Sequence, residues 1–337
     1  SSNQWTWVKG DSTWDQPPVF GTKGVSNPNN NPISLSETNA SWYDGNNLWL
    51  FGGYDYFLNW WNTLWKYNIS SNEWTWVSGN NFSNAPGVYG TKGVPNINNI
   101  PTSRGCYTKW QRSDTLWLFG GANNLGYYND LWRYTISNNQ WTWMSGLDTA
   151  NNQGVYINKC VSSQNCFPYS RFETRACWQD IENRFWLYGG WHNTMFNDVW
   201  VYDPNSNKWT WVSGNSTPNS PVVVYGTIQV PNPNNDPGGR MGAPSWIDGF
   251  NNLWVYGGAD NSDKLSDLWK YQIDTTCFGN IENIHEFNSL NNLTIYPLPF
   301  KDKITIELDL ETPSSIQITL RNLQGQILKA VQEKYSN

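Results

Sequence analysis

A six-residue phrase occurs four times in this chain: Trp-Thr-Trp, a Val or Met, a Lys or Ser, then Gly. The copies span residues 5–10, 74–79, 141–146 and 209–214. Their first tryptophans are 69, 67 and 68 residues apart in a chain of 337. Self-similarity at a fixed period marks a fold built from repeated supersecondary units. It also sorts the residues. Positions that recur in register belong to the architecture, and positions that break the repeat are where function is sought.

Between successive phrases the same events recur. The second repeat has an apolar segment at 104–110 and a polar turn at 111–114. Thr-Leu-Trp-Leu-Phe-Gly-Gly follows at 115–121, then Asn-Asp-Leu-Trp-Arg-Tyr at 129–134 and Trp-Thr-Trp at 141–143. Counterparts lie at 48–53 and 62–67, at 185–190 and 197–202, and at 253–258 and 266–271. Each unit reads as four short antiparallel strands, a to d. Strand b is apolar at consecutive positions, so both faces of its sheet are covered. A small sheet covered on both faces needs a neighbour on each side, as the blades of a β-propeller have. The composition agrees. With 24 Trp, 28 Gly, 18 Pro and only 14% charged residues, the chain favours short strands and tight turns. By register, Trp7, Trp49, Trp65, Trp76, Trp117, Trp132, Trp143, Trp186, Trp200, Trp211, Trp254 and Trp269 are core positions.

A diglycine after an apolar strand, a Trp/Tyr strand, a turn and another Trp together resemble the kelch repeat, over about residues 1–277. The resemblance implies an all-β, kelch-type β-propeller. These repeats exceed the usual length of about 50 residues, and the excess lies between strands d and a. It recurs at 19–24, 88–93, 155–160 and 224–229, so it reads as scaffold. The fourth repeat has no Trp-Thr-Trp after Tyr271, whereas the chain opens with one. The expectation is a four-bladed ring in which residues 5–8 supply the outer strand of the last blade, leaving no exposed edge. A start at Ser1, without Met or leader, reads as a processed or trimmed chain.

After Cys277 tryptophan disappears. Residues 279–292 read as a linker between a propeller at 1–278 and a second domain at 293–337. Segments 293–300, 303–308 and 316–325 alternate apolar and polar residues, as half-buried strands of a small Ig-like β-sandwich do. Ile-Tyr-Pro-Leu-Pro-Phe at 295–300, the strands and a late glycine resemble the C-terminal sorting domain of the type IX secretion system of Bacteroidetes. Leu298 stands where that family usually has Asn, and the chain reaches Asn337 before the family's final strands. The resemblance implies a protein secreted, or anchored on the outer-membrane surface, by way of the periplasm. Its partners would then be the translocon and attachment components, addressed through Tyr296, Pro297, Pro299, Phe300 and Gly325. Short Asp-Ser/Thr sequences at Asp11, Asp114, Asp148 and Asp274 resemble the O-glycosylation sequon of the same bacteria.

The chemistry-bearing residues are few. A net charge of −6 and a pI near 5.0 give no footprint for nucleic acid. The histidines, His192 and His285, fall in different domains, so a copper site like that of galactose oxidase is not expected. No zinc-ligand spacing, nucleophile elbow or phosphate loop is present, and the Asn/Asp-rich loops lack a calcium-binding spacing. No metal, cofactor or catalytic residue is therefore assigned. Carboxylates from different blades can converge without a sequence signature, so a carbohydrate-active propeller enzyme stands as the alternative reading. Of five cysteines, Cys160 and Cys166 are expected to pair, which implies an oxidising compartment. Cys106 and Cys177 read as small buried hydrophobes.

In antiparallel blades the d–a and b–c loops emerge on one side. The b–c loops break the repeat with Tyr54, Asp55, Tyr56, Trp60, Trp61, Tyr127, Tyr128, Trp191 and His192. Exposed aromatic faces beside amides and carboxylates suit stacking on sugar rings or anchoring a protein. The sequence therefore points to a non-catalytic binder of an extracellular glycan or protein.

Overall fold

The computed structural model describes residues 3–278 except 39, 220 and 221, and four strands beyond them. The chain divides into two compact units, Ser1–Phe278 and Gly279–Asn337.

Among the described residues the first unit has four blade-like antiparallel sheets and a two-stranded hairpin, Ala122–Asn123 with Gly126–Tyr127, in a b–c loop. Blade 1 comprises strands Ala40–Tyr43, Asn47–Tyr54, Trp60–Asn68 and Glu73–Ser78; blade 2 comprises Thr108–Arg112, Thr115–Phe119, Leu131–Thr135 and Gln140–Ser145. Blade 3 comprises Cys177–Gln179, Phe185–Tyr188, Val199–Asp203 and Lys208–Ser213; blade 4 has only Ser245–Ile247, Leu253–Ala259 and Lys264–Tyr271. This arrangement is consistent with a kelch β-propeller.

Three junctions join the blades by the same bonds. The Trp42 indole donates to the Trp110 carbonyl at 2.8 Å, Trp110 to Trp178 at 2.9 Å, and Trp178 to Trp246 at 2.8 Å. The diglycines form the second tie. Gly53, Gly121 and Gly190 donate their N–H to the carbonyls of Arg104, Arg171 and Arg240 in the following blade, at 2.8, 2.9 and 2.8 Å. The glycines before them have φ of +58, +66 and +69°, and a Cβ there would lie 2.4–2.7 Å from a neighbouring backbone oxygen. Both constraints demand glycine.

Blades 2 to 4 each bury an arginine–aspartate pair. Arg104 meets Asp130, Arg171 meets Asp198 and Arg240 meets Asp267. The aspartate also accepts from an indole (Trp132, Trp200 or Trp269, each 2.7 Å) and from a phenol of the d–a insertion (Tyr89, Tyr156 or Tyr225). Burial, reinforced by the Asp130 charge, pushes the Tyr89 phenol well above its ordinary pKa. Blade 1 replaces the whole hub with Leu35, Thr63 and Phe20. Phe20 stacks on Trp65 at 5.4 Å, and Trp65 Nε1 and Thr63 Oγ1 are buried without a hydrogen-bond partner.

The d–a insertions lie along strand d of the following blade. Ser26–Asn27 and Ser162–Ser163 add a fifth strand to blades 1 and 3. Lys23 and Lys92 cross the faces of Trp76 and Trp143, each 4.3 Å from the centroid, and donate to the Gly79 and Gly146 carbonyls at 2.7 Å.

Two expectations are corrected. Cys160 bonds to Cys277, 117 residues away, and not to Cys166. The Cys160 N–H is held on the Trp211 carbonyl, beside the turn Thr275–Phe278. Cys166 occupies the position of Asn30 and Asn99, and its thiol faces the Trp209 carbonyl at 3.0 Å, as the Asn99 amide faces Trp141. It is thus turned toward the sheet and away from Cys160. The second correction concerns closure. Residues 5–8 form no strand, Trp5 and Trp7 are 102% and 70% exposed, and Trp7 is not a core residue. Blade 4 ends at Lys264–Tyr271. Among the described residues, neither residues 5–8 nor any strand of blade 1 pairs with blade 4. Trp246, Tyr256 and Leu268 consequently face solvent, whereas their blade 3 counterparts Trp178, Tyr188 and Val199 are buried.

In the second unit, Leu293–Tyr296 pairs antiparallel with Thr305–Leu308, and Ser315–Arg321 with Ile327–Lys334. The expected linker, His285, Pro297, Pro299, Phe300 and Gly325 lie outside the described residues; Tyr296 ends the first of these strands.

Candidate binding face and axial cluster

The blade 1 b–c loop divides the expected binding residues into supports and tip. Asp55 is buried and accepts from the Phe57 and Asn59 N–H groups at 3.0 and 2.9 Å, and from the Trp61 indole at 3.2 Å. This is an Asx-type staple, so Asp55 and the buried Trp61 hold the loop. Tyr54 and Trp60 are half-buried and meet edge to face at 4.9 Å. A Cβ on Gly105 of blade 2 would lie 3.0 Å from the Trp60 ring. The exposed tip is Tyr56, Phe57 and Leu58, at 73%, 74% and 65%. Of these, only Tyr56 stood out from the repeat pattern.

Blades 2 and 3 bring the remaining candidates together. Tyr127 stacks on Phe172 with centroids 5.2 Å apart, and Trp191 stands perpendicular to both at 5.4 Å. His192 meets Tyr127 at 4.8 Å and Tyr169 at 4.9 Å. Trp191 and Tyr127 remain half-exposed, whereas His192 is buried and its Nδ1 donates to the Ser170 carbonyl at 2.9 Å. Burial holds the His192 pKa below its usual value. The Ser170 bond opposes that shift and the Arg171 charge adds to it. Tyr128 turns inward, with the Arg104 guanidinium 4.1 Å over its ring, and belongs to the core.

Closer to the axis, a cluster unmarked in the sequence comes together where the chain enters strand a. Glu37, Cys106, Glu173 and Gly242 have φ of 54, 55, 55 and 67°. Each hands its carbonyl to the next: Cys106 N–H to Glu37 O and Glu173 N–H to Cys106 O at 3.1 Å, and Gly242 N–H to Glu173 O at 3.0 Å. The left-handed conformation brings successive blades' side chains together around the axis. Arg175 donates to Glu37 at 2.8 Å and to both Glu173 oxygens at 2.6 and 3.0 Å. The Cys106 thiol lies 3.7 Å from Glu37 Oε2. One donor atom each from Glu37, Cys106 and Glu173 falls within 4.8 Å of the others. Burial, with the two carboxylates adding to it, pushes the Cys106 thiol far above its ordinary pKa, while the Glu173 bond holds Arg175 charged. The cluster is therefore two glutamates bridged by one guanidinium, with a protonated thiol beside them.

Phe172, Tyr169, Glu37, Glu173 and Arg175 lie outside the b–c loops, in the segments that lead into strand a. The rule of broken repeats finds most of them at the start of strand a. Arg-Gly-Cys at 104–106, Arg-Phe-Glu at 171–173, Arg-Met-Gly at 240–242 and Leu-Ser-Glu at 35–37 share a register and differ where side chains reach the axis.

Comparison with known families gives two matches. The model of the KLHDC2/KLHL20/DRC7 Kelch-repeats domain matches residues 5–232, and that of the Secretion system C-terminal sorting domain matches residues 294–337. No curated protein matches the chain.

Proposed function

From the premise that this chain belongs to the kelch-repeat family, we propose that its loop face binds an extracellular glycan or protein without catalysis. The sorting tail implies handling by the type IX secretion machinery and export to the cell surface or beyond. No helix among the described residues is long and apolar enough to cross a membrane. A ligand would thus be met outside the cell, where the surface of Bacteroidetes is one setting for adhesion.

The observation that carries this reading is the Tyr127–Phe172–Trp191 cluster. Two perpendicular aromatic planes, held by neighbouring blades and open to solvent at Trp191, offer a preformed stacking surface. The exposed Tyr56, Phe57 and Leu58 on the same loop side supply a second, more adaptable contact. Glycan-array and pull-down experiments on the intact chain test the idea. Trp191→Ala should weaken a detected interaction at least tenfold, in line with the loss of an aromatic anchor. Binding unchanged by both Trp191→Ala and joint replacement of Tyr56 and Phe57 would refute it.

One observation favours a second reading, a carbohydrate-active enzyme: the convergence of Glu37 and Glu173 from different blades. Turnover of a polysaccharide that Glu37→Gln or Glu173→Gln abolishes would establish that reading in place of the first.

A further inference from the structure

The aromatic cluster and the axial cluster meet at one dipeptide. Phe172 and Glu173 are consecutive, so their Cα atoms lie about 3.8 Å apart. Phe172 stacks on Tyr127 and stands perpendicular to Trp191, whereas Glu173 turns to the axis and holds Arg175. Gly105 and Cys106 repeat the junction in blade 2. A Cβ on Gly105 would lie 3.0 Å from both the Trp60 ring and the Glu37 carbonyl oxygen, and the Cys106 thiol faces the Glu37 carboxylate. Aromatic faces and carboxylates therefore share one rim.

That rim carries a surplus of negative charge. Two glutamates face one arginine, so the ion-paired group keeps one formal negative charge in excess. Its side chains are reachable from solvent, at 32% exposure for Glu37, 16% for Glu173 and 39% for Arg175. The next axial position in register is Gly242, which is exposed and places no side chain beside Glu173. A Cβ there would meet only Glu173 Oε2, at 3.9 Å, among the described residues.

The seat between the glutamates fits a guanidinium, because one already occupies it. Arg175 reaches Glu173 through Nε at 2.6 Å and through Nη2 at 3.0 Å, and Nη2 also reaches Glu37 at 2.8 Å. Elsewhere the same fold holds arginines by a carboxylate and a ring together. Arg104 lies 4.1 Å over the Tyr128 ring and pairs with Asp130; Arg171 lies 3.9 Å over Phe196 and pairs with Asp198. A planar guanidinium stacks on rings and forks onto carboxylates, whereas an ammonium acts as a point charge. The rim offers both elements, the carboxylates of Glu37 and Glu173 and the faces of Tyr127, Phe172 and Trp191.

We propose that the ligand of the loop face is a protein that presents an arginine. Glu37 and Glu173 receive its guanidinium in exchange for Arg175, and its neighbouring residues lie on Tyr127, Phe172 and Trp191. This names the partner's chemistry for the loop-face reading given above and rests on it. Charge complementarity selects the occupant, since the surplus carboxylate charge and the ring faces both attract a cation. Fork geometry then selects guanidinium over ammonium. Arg175 is the internal competitor, exposed enough to turn out into solvent. Exchanging one guanidinium for another conserves the charge-assisted bonds, so net affinity comes from the aromatic contacts beside them.

Calorimetric titration of the full chain with blocked Gly-Ser-Arg-Ser-Gly peptide, and with its lysine and citrulline counterparts, tests this. Citrulline keeps the shape and loses the charge, so its peptide should bind about tenfold more weakly, with lysine in between. Glu37→Gln and Trp191→Ala should each weaken the arginine peptide. Arg175→Gln should bind it several-fold more tightly by removing the competitor, a gain that a merely structural Arg175 would not give. If Arg175→Gln is destabilised, millimolar methylguanidinium should raise its melting temperature more than that of the native chain. Equal binding of the arginine and citrulline peptides, no binding of either, or a folded Arg175→Gln that binds no better would overturn the proposal. So would an Arg175→Gln that methylguanidinium fails to stabilise, or a glucosamine trimer that binds more tightly than the arginine peptide. After any of these, a ligand lost in Trp191→Ala still upholds the loop-face reading. Arginine binding that Glu37→Gln weakens and Trp191→Ala leaves unchanged removes both.

Discussion

Arg175 of blade 3 donates a 2.8 Å hydrogen bond to Glu37 of blade 1, across 138 residues of chain and one intervening blade. With its bonds to Glu173, this guanidinium ties two non-adjacent blades at the axis, beside the Cys106 thiol. The arrangement has the logic of a charge-assisted, partly bidentate clamp.

The axial cluster predicts a silent cysteine. Cys106 should alkylate slowly at neutral pH, because burial and then the Glu173 and Glu37 charges favour its thiol form. Replacing both glutamates by glutamine should raise the rate several-fold, while burial keeps it below that of a free thiol. Alkylation rates followed by mass spectrometry at Cys106 across pH 7 to 9 check this.

The polar hubs predict non-additive stability. Arg104→Leu leaves Asp130 buried and unpaired and should cost about 3–5 kcal/mol. The triple change Arg104→Leu, Asp130→Thr and Tyr89→Phe copies blade 1, where Leu35, Thr63 and Phe20 do the same work, and should recover most of that loss. Urea unfolding of the three proteins gives the comparison, since groups in one network do not add.

His192 predicts a pH dependence. Its folded pKa is lowered by burial, so between that value and the unfolded value of about 6.5 the unfolded chain binds the extra proton. Stability from this group is complete above about pH 6.5 and falls as the pH drops toward the folded pKa. Melting temperatures from pH 7.5 to 5 should therefore fall more steeply for the native chain than for His192→Gln.

The disulfide predicts a pairing and a stabilisation. Peptide mapping should recover Cys160 linked to Cys277, with Cys166 as a free thiol. Removing a cross-link that spans 117 residues should cost up to about 4–5 kcal/mol on the chain-entropy account. Cys277→Ser compared with Cys166→Ser in denaturant unfolding separates this loss from that of a small buried side chain.

Much of the fold was legible because repetition multiplies weak signals. One apolar strand could be several things; four copies at the same offsets from a diglycine and a Trp-Thr-Trp phrase read as four sheets. The b–c loops were legible as the place of variation, but not the direction of each side chain. Tyr127 and Tyr128 are neighbours in sequence and alternate in a strand-like segment, so one joins the open aromatic cluster while the other lies under Arg104. Asp55 and Trp61 broke the repeat for a local reason, to staple their own loop.

The Trp-Thr-Trp period by itself determined the class of fold and, for the copies at 74–76, 141–143 and 209–211, the strand the tryptophans occupy, since those follow from local pattern and register. The tertiary structure decided what the period could not. Residues 5–8 carry the phrase yet form no strand on blade 4, because pairing depends on which edges meet in space, which no single repeat encodes. Cys160 meets Cys277, and Glu37 meets Glu173 and Arg175, because the blades converge on common neighbours, and that convergence is a property of their arrangement in space.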